Sequence, residues 1–236
     1  MALILCIETG TDICSVGIAR DGELLSLRES DQGRDHAKKV ALFVDELLHE
    51  TGIRPEELEA VAVGMGPGSY TGLRIGVSFA KGLCYGLQIP LIAIGSLDAL
   101  VAVAREDYEA GILDVEHWDE ATLCPMVDAR RMEVYTQRFS AQGEPRSEVT
   151  AEVITAESFG ADRQDPQRPL VIFGNGAEKC RQLLPEACWV PVTPSARGLA
   201  RPAQQAFDEG RFEDVAYFEP FYLKDFVVTQ SKKKIL

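Results

Sequence analysis

The residues best suited to chemistry lie in one stretch, LEAVAVGMGPGSYTGLRIGVSFAKGLCYG, from Leu58 to Gly86. It reads as a buried strand over Leu58 to Val63, a glycine-rich loop holding Gly64, Gly66, Gly68 and Gly72, and a helix over Leu73 to Tyr85. Strand, glycine loop and helix in that order present backbone N–H groups at a helix N-terminus to an anion. Thr9-Gly10-Thr11 offers a further phosphate turn, and Gly174-Asn175-Gly176 a shortened one. The candidate phosphate-loop set is therefore Thr9, Gly10, Thr11, Gly66, Gly68, Ser69 and Thr71. Each turn has a second reading, a tight bend at which glycine supplies positive φ without steric cost. Phosphotransfer would also need an acid for Mg²⁺ or the acceptor and a pocket for the base. No lysine stands beside either loop in the sequence, so the loops read as vestigial and ATP turnover by this chain alone is not expected.

Two other chemistries can be weighed on residue types. A two-metal nuclease needs carboxylates converging at strand ends. Glu8 ends the first strand and Glu46 could approach from a helix, but the strand Leu58 to Val63 runs into Gly64 and Met65, so the cluster is incomplete. A metalloprotease needs closely spaced histidines. The chain has His36, His49 and His117, with no HExxH and no pair one helical turn apart. No catalytic or metal-ligating residue is assigned, and His36 reads as a surface or interface residue.

The elements that must position these residues follow from periodicity. Leu3 to Glu8 is an apolar run, Cys14 to Ala19 resumes after TGTD, and Asp21-Gly22 makes a hairpin turn into Leu24 to Leu27. Asp35 is placed to cap a helix over His36 to Glu50, which Gly52 and Pro55 end. A strand over Leu91 to Ile94 follows Pro90, and Ser96 is placed to cap a helix through Ala104. The order β-β-β-α-β-α-β is that of a ribonuclease-H-like sheet, the half-unit of the two-lobed actin-like ATPase (ASKHA) folds. A second lobe is therefore expected, and it is small. The acidic stretch Asp107 to Glu120 reads as a connector, Leu123 to Asp128, Met132 to Phe139 and Leu170 to Phe173 as strands, and Ala177 to Leu184 as an amphipathic helix. Ser195 is placed to cap a last helix through Phe207, with Pro202 set to kink or restart it. The division expected is a first lobe over residues 1–104, a smaller second lobe over 105–210, and a C-terminal segment with a basic tail over 211–236.

Bulk properties bound the function further. The 236 residues carry 46% hydrophobic side chains, ample for a core, and a net charge of −13. A phosphate backbone is repelled on average, and the sequence holds no basic stripe with interleaved aromatics; Lys232 to Lys234 reads as a solvated tail. The opening MALILCIETG lacks a basic region ahead of a long apolar run, and Leu87 to Ala104 is too interrupted to span a bilayer. Six scattered cysteines without a CxxC fit free thiols in a reducing cytosol. A soluble cytoplasmic protein is the expectation.

GPGSYTGLRIG at Gly66 to Gly76, IETGTD at Ile7 to Asp12, DARRMEVY at Asp128 to Tyr135 and PFYLKDF at Pro220 to Phe226 resemble the bacterial TsaB (YeaZ) family over nearly the whole chain. The resemblance implies an actin-like fold without independent catalysis. It also implies a homodimer when alone, and a complex with the catalytic relative TsaD and the ATPase TsaE. That assembly uses ATP, carries its metal on TsaD, and transfers threonylcarbamoyl to N6 of the adenosine beside the anticodon in tRNA. Contact with tRNA is expected only through the complex, and contact with membrane is not expected. In the helix after the glycine loop, Gly72, Gly76, Ala80 and Cys84 recur every four residues as a stripe of small side chains, flanked by Leu73 and Val77. Such a stripe either admits another subunit's helix or packs on the sheet of its own lobe. The family resemblance favours an interface of Gly72, Leu73, Gly76, Val77 and Ala80 with Val40, Phe43 and Leu47 of the preceding helix. On that reading Val77→Glu or Phe43→Glu would leave the monomer folded and abolish the heterodimer.

Overall fold

A computed structural model describes residues 2–32, 35–163 and 165–224. The chain opens with β1 (Leu3–Glu8), β2 (Cys14–Arg20), β3 (Glu23–Ser30), α1 (His36–Thr51), β4 (Ala60–Gly66), α2 (Tyr70–Leu87), β5 (Leu91–Gly95) and α3 (Ser96–Glu109). These strands form one sheet in the order β3-β2-β1-β4-β5, with β1, β4 and β5 parallel and the two hairpin pairs antiparallel. Asp21 and Gly22 both take left-handed backbone (φ 54° and 77°), the geometry that matches a two-residue turn to strand twist. The chain continues through β6 (Thr122–Asp128), β7 (Glu133–Thr136), β8 (Phe139–Ser140), β9 (Thr150–Val153), β10 (Leu170–Phe173), β11 (Cys188–Trp189) and α4 (Arg197–Asp208). The second sheet runs β11-β10-β6-β7-β9, with β8 also on β6. This is the expected pair of sheets, with the glycine stretch in the first.

Alternation along β1 and β4 sorts their side chains to two faces. Leu3, Leu5, Ile7, Val61 and Val63 pack with Val40, Val44 and Leu47 of α1 and Val77, Ala80 and Cys84 of α2. Ile4, Cys6, Ala60 and Ala62 pack with Ala99 of α3 and with Leu199, Ala200 and Ala203 of α4. The other face of α3 (Leu100, Val101, Ala104) joins Leu123, Val127, Val171 and Phe173 of the second sheet. Helix α3 is thus the shared wall between the two sheets.

Several expected boundaries move for identifiable reasons. Asp35 stands at the start of α1 without capping it through its side chain; its carbonyl instead accepts from the Lys38 and Lys39 N–H groups. Helix α3 begins at Ser96 behind Gly95 and continues beyond Ala104 to Glu109, because Asp107 is buried and both its carboxylate oxygens accept from Arg197 Nη2 at 2.8 Å, while Arg197 Nη1 donates to Glu106 at 3.0 Å. Charge that reads as a solvated connector is here an internal ion pair. The expected helix over Ala177 to Leu184 shrinks to a 3₁₀ turn at Glu178–Cys180, bounded by Gly174 and Gly176 on one side and Pro185 on the other. Helix α4 starts at Arg197, its Ala196 N–H donating to Ser15 Oγ of β2 at 2.8 Å, and it retains Pro202 inside. It lies on the first sheet, although its place in the sequence suggests the second lobe. The four short strands β8, β9, β10 and β11 are held by partners distant in sequence; β8, β9 and β11 have no separate sequence signal of their own.

Candidate functional site at the interlobe cleft

Where β1 ends, Glu8 turns inward rather than toward an ion. Its side chain is 1% exposed; Oε1 accepts from Gly10 N at 2.7 Å, and Oε2 accepts from Ser96 Oγ at 3.1 Å. A Cβ on Gly64 would come within 2.0 Å of Glu8 Oε2, so glycine on β4 makes the room for this carboxylate. Glu46 is remote from it, ion-paired with Arg28 at the surface. The partial nuclease cluster considered from sequence does not form. Among the described residues no group of three or more His, Cys, Asp or Glu side chains is arranged to hold a metal.

Burial raises the Glu8 carboxyl above its ordinary value of 4.5, against the lowering effect of the Gly10 and Ser96 hydrogen bonds. The folded state therefore holds this proton more tightly than the unfolded chain. Its contribution to stability is complete below about pH 4.5 and is lost as pH rises through the raised value. Glu8→Gln keeps the shape and an acceptor for Gly10. It should flatten that part of the profile and be the more stable protein near neutrality, read as the difference in urea midpoints between about pH 4 and pH 8.

The two glycine turns pack on each other. Ser69 N donates to Gly10 O at 2.6 Å, and a Cβ on Gly68 would meet that same oxygen at 2.3 Å. Thr9 Oγ1 donates to Gly72 O at 2.8 Å, tying the β1–β2 loop to the first turn of α2. Helix α2 starts at Tyr70, three residues before its sequence boundary, because Ser69 caps it, its Oγ accepting from Gly72 N at 3.4 Å. Thr11, Ser69 and Thr71 do line the cleft, while Gly66 lies within β4. The N–H groups of Gly10, Ser69 and Gly72, which a polyphosphate would use, are spent on Glu8, Gly10 and Ser69 respectively. Gly174-Asn175-Gly176 is likewise a tight bend: Gly174 has φ +99°, a Cβ there would meet Met126 O at 2.4 Å, and Asn175 Oδ1 accepts from Asp128 N.

Above the turns lies a cleft of ≈ 500 Å³ between the two sheets. Its walls are Gly10–Asp12, Gly68–Thr71, the β6–β7 turn with Asp128 and Arg130, Tyr135, Asn175, and the segment 221–224. That C-terminal segment is the part the residue types alone did not place. Phe221 N donates to Met65 O at 2.8 Å, Arg74 Nε to the Tyr222 hydroxyl at 3.2 Å, and Lys81 Nζ to Phe218 O at 2.9 Å. Lys224 then crosses to pair with Glu133 on β7. A lysine therefore does reach the cleft, from a distant part of the sequence. The only signal for it was the PFYLKDF motif; the rest of that motif, Asp225 and Phe226, lies outside the described residues, as does the basic tail.

His36 is buried at 6% exposure, and its Nε2 donates to Thr11 O at 2.9 Å. It is an internal tether of the β1–β2 loop rather than a surface residue. It borders a smaller cavity of ≈ 280 Å³ with Thr11, Asp12, Ser69, Thr71 and Ile75.

The expected partner surface is placed differently. Val40, Leu47, Leu73, Val77 and Ala80 are all 3% exposed or less, and Gly72 and Gly76 are buried. A Cβ on Gly76 would meet Thr9 Oγ1 at 2.2 Å. The small-residue stripe seats α2 on its own lobe, and these seven residues present no surface to a partner. Phe43 alone of the set is partly exposed. At the edge of the outward face of α2, Ile75, Phe79 and Leu83 are half-buried, Phe79 and Leu83 packing on the core of the first sheet, beside exposed Gly82 and Gly86, whose Cβ positions meet nothing within 4 Å. Beside it, α1 exposes Leu42 at 51%.

Two sheets sharing one helical wall, with paired glycine turns at the base of the cleft, define a protein of the two-lobed actin-like ATPase fold, α/β in class. The family model of TsaD, tRNA N6-adenosine threonylcarbamoyltransferase, matches residues 28–168. The tRNA threonylcarbamoyladenosine biosynthesis protein TsaB of Escherichia coli is 30% identical over 230 residues, covering 94% of each chain. The protein of the same name from Haemophilus influenzae is 35% identical over 132 residues, 56% of this chain, and that match spans about half (51%) of the relative's length. The solved structure of YeaZ from Pseudomonas aeruginosa superposes with a TM-score of 0.72 at 27% identity, covering 94% of this chain and 100% of that one. The chain belongs to the TsaB (YeaZ) family.

Proposed function

We propose that this chain is a non-catalytic subunit in the biosynthesis of tRNA threonylcarbamoyladenosine, acting in the cytoplasm as a scaffold for a TsaD-like transferase. The observation that carries this reading is the state of the phosphate turns: Gly10 N–H is committed to Glu8, and Ser69 N–H to Gly10 O, within the chain itself. A fold that keeps the cleft but fills its cradle suits a structural task better than turnover. The apolar strip that α1 and α2 leave outward, with Leu42, Phe43, Phe79 and Leu83 beside the bare Gly82 and Gly86, is a surface another helix could approach closely. We assign the TsaD contact to this strip, and the homodimer formed in the partner's absence to the same strip, so the two associations compete. A TsaE-like ATPase completes the assembly, ATP is consumed there, and the metal sits on the TsaD-like subunit.

Reconstitution tests this directly. With TsaD-like and TsaE-like subunits, tRNA and threonylcarbamoyl adenylate present, modification should depend on added chain, and the chain alone should neither hydrolyse ATP nor modify tRNA. Full modification without the chain would remove the scaffold role, and turnover by the isolated chain would restore the phosphotransferase alternative.

A further inference from the structure

The cleft rim carries an arrangement that no single stretch of sequence contains. Starting on α2, the Arg74 guanidinium lies 4.2 Å from the Tyr70 ring centroid, and Tyr70 packs on Tyr222 with centroids 4.7 Å apart. Two residues on, the Lys224 ammonium stands 5.9 Å from the Tyr135 ring, and Tyr135 borders the cleft together with Arg130. Cations and aromatic rings gather at the rim from the first lobe, the C-terminal segment and the β6–β7 hairpin. Among the described residues no ion pair engages Arg130 or its neighbour Arg131, and both are exposed. Both also hold left-handed backbone, φ 71° and 51°, which side-chain-bearing residues rarely adopt. Asp128 steadies that turn by accepting from Arg130 N at 2.9 Å, and Lys179 neutralises Asp128 in turn.

From this stripe we infer a second property of the chain: it binds an unpaired stretch of RNA directly across the mouth of the interlobe cleft. A phosphate would lie on Arg130, and the bases against Tyr135 and the Tyr70–Tyr222 pair, with Lys224 held beside them by Glu133. Single-stranded nucleic acid is held in this way, by cations that follow the backbone and aromatic faces that take successive bases. A duplex hides the base faces, and an acidic polypeptide would use the cations while leaving the rings idle. The net charge of −13 repels RNA elsewhere on the surface, which confines the contact to the rim. The acids near the cleft offset Lys224 but leave Arg130 without an ion pair among the described residues. Asp128 is paired with Lys179 and Glu133 with Lys224, leaving Asp12 as the remaining carboxylate along the walls. The choice of RNA over DNA rests on the tRNA role proposed above. The reconstitution and the titration below can fail independently.

The test is fluorescence anisotropy of the full chain with a short labelled single-stranded RNA, with its duplex, and with poly-glutamate as competitor. The single strand should bind, more tightly than the duplex, with affinity falling as salt rises. Arg130→Gly removes a cation and relieves a positive-φ residue, so it should fold at least as well as the parent while losing about tenfold in affinity. Its salt slope should shrink by about 0.7, the value of one single-strand phosphate contact. Tyr135→Leu should cost a similar factor with the salt slope unchanged, which separates lost stacking from lost charge. The inference is overturned if the parent leaves the RNA free, or if both variants bind as the parent does. It is equally overturned if poly-glutamate takes the rim in an Arg130-dependent manner and RNA does not.

Discussion

Gly72→Ala should destabilise this protein by about 3 kcal/mol, the upper part of the range for forcing a group into a packed interior, and lower its melting temperature by roughly 6–12 °C. Helix propensity gives the opposite sign, since alanine in a helix interior is favoured over glycine by about 1 kcal/mol. The clash decides it. The added Cβ would sit 2.0 Å from the Thr9 carbonyl oxygen, and that obstacle is backbone, with no rotamer to escape into. Thr9 cannot retreat cheaply, because its hydroxyl is bonded to Gly72 O and the adjacent Gly10 is bonded to both Ser69 N and Glu8. One methyl group therefore pushes the β1–β2 loop, the α2 N-terminus and a buried carboxylate together. Gly82→Ala supplies the internal control: the same substitution in the same helix meets nothing within 4 Å, so it should stabilise by about 1 kcal/mol. Thermal melts of the two variants should move in opposite directions, and a Gly72→Ala protein as stable as its parent would show that α2 is not seated on Thr9.

What could be read in advance from the residues was local. The β1 boundaries, the Asp21-Gly22 turn and the extent of α1 follow from short-range alternation, turn chemistry and helical spacing, and each is found within a residue or a few of its expected place. The start of α2 was obscured because its cap, Ser69, lies inside a glycine-rich run that reads as loop. The second lobe was harder, since β8 and β11 are two-residue strands defined by partners well outside the reach of a local turn, such as Thr122 for Ser140 and Val171 for Cys188. Periodicity correctly grouped Gly72, Gly76, Ala80 and Cys84 on one face of α2, but it carries no information on which way that face points. Thr9 settles it, by filling the space the glycines leave. The cleft rim was illegible for a related reason: its cations and rings come from residues 70–74, 130–135 and 222–224, and only the fold makes them neighbours. The absence of a basic-aromatic stripe in the linear sequence was thus no guide to the surface.

The consequence for partner binding is that Val77→Glu, expected from the sequence to leave the monomer folded, strikes the core and not a surface. Val77 is 3% exposed in the core between α2 and the first sheet, among Leu5, Val63 and Leu47. Val77→Glu would bury an unpaired carboxylate, and leaving one charge uncompensated in an interior costs roughly 3–5 kcal/mol. Against a total stability of about 5–15 kcal/mol, that is enough to deplete the folded chain. It should reduce soluble expression and abolish a cooperative melt, so its loss of TsaD binding would say nothing about a surface. Leu42→Glu is the informative change. Leu42 is 51% exposed on α1, where a carboxylate stays hydrated, and the monomer's melting temperature should move by no more than about 2 °C. If the outward strip of α1 and α2 is the shared interface, the same variant should fail to co-purify with the TsaD-like subunit and should elute as a monomer. A single charge at the centre of an apolar contact removes both associations at once. A folded Leu42→Glu chain that still captures the TsaD-like subunit would move the interface off this strip, while leaving the packing of Val77, and the reason it must stay apolar, untouched.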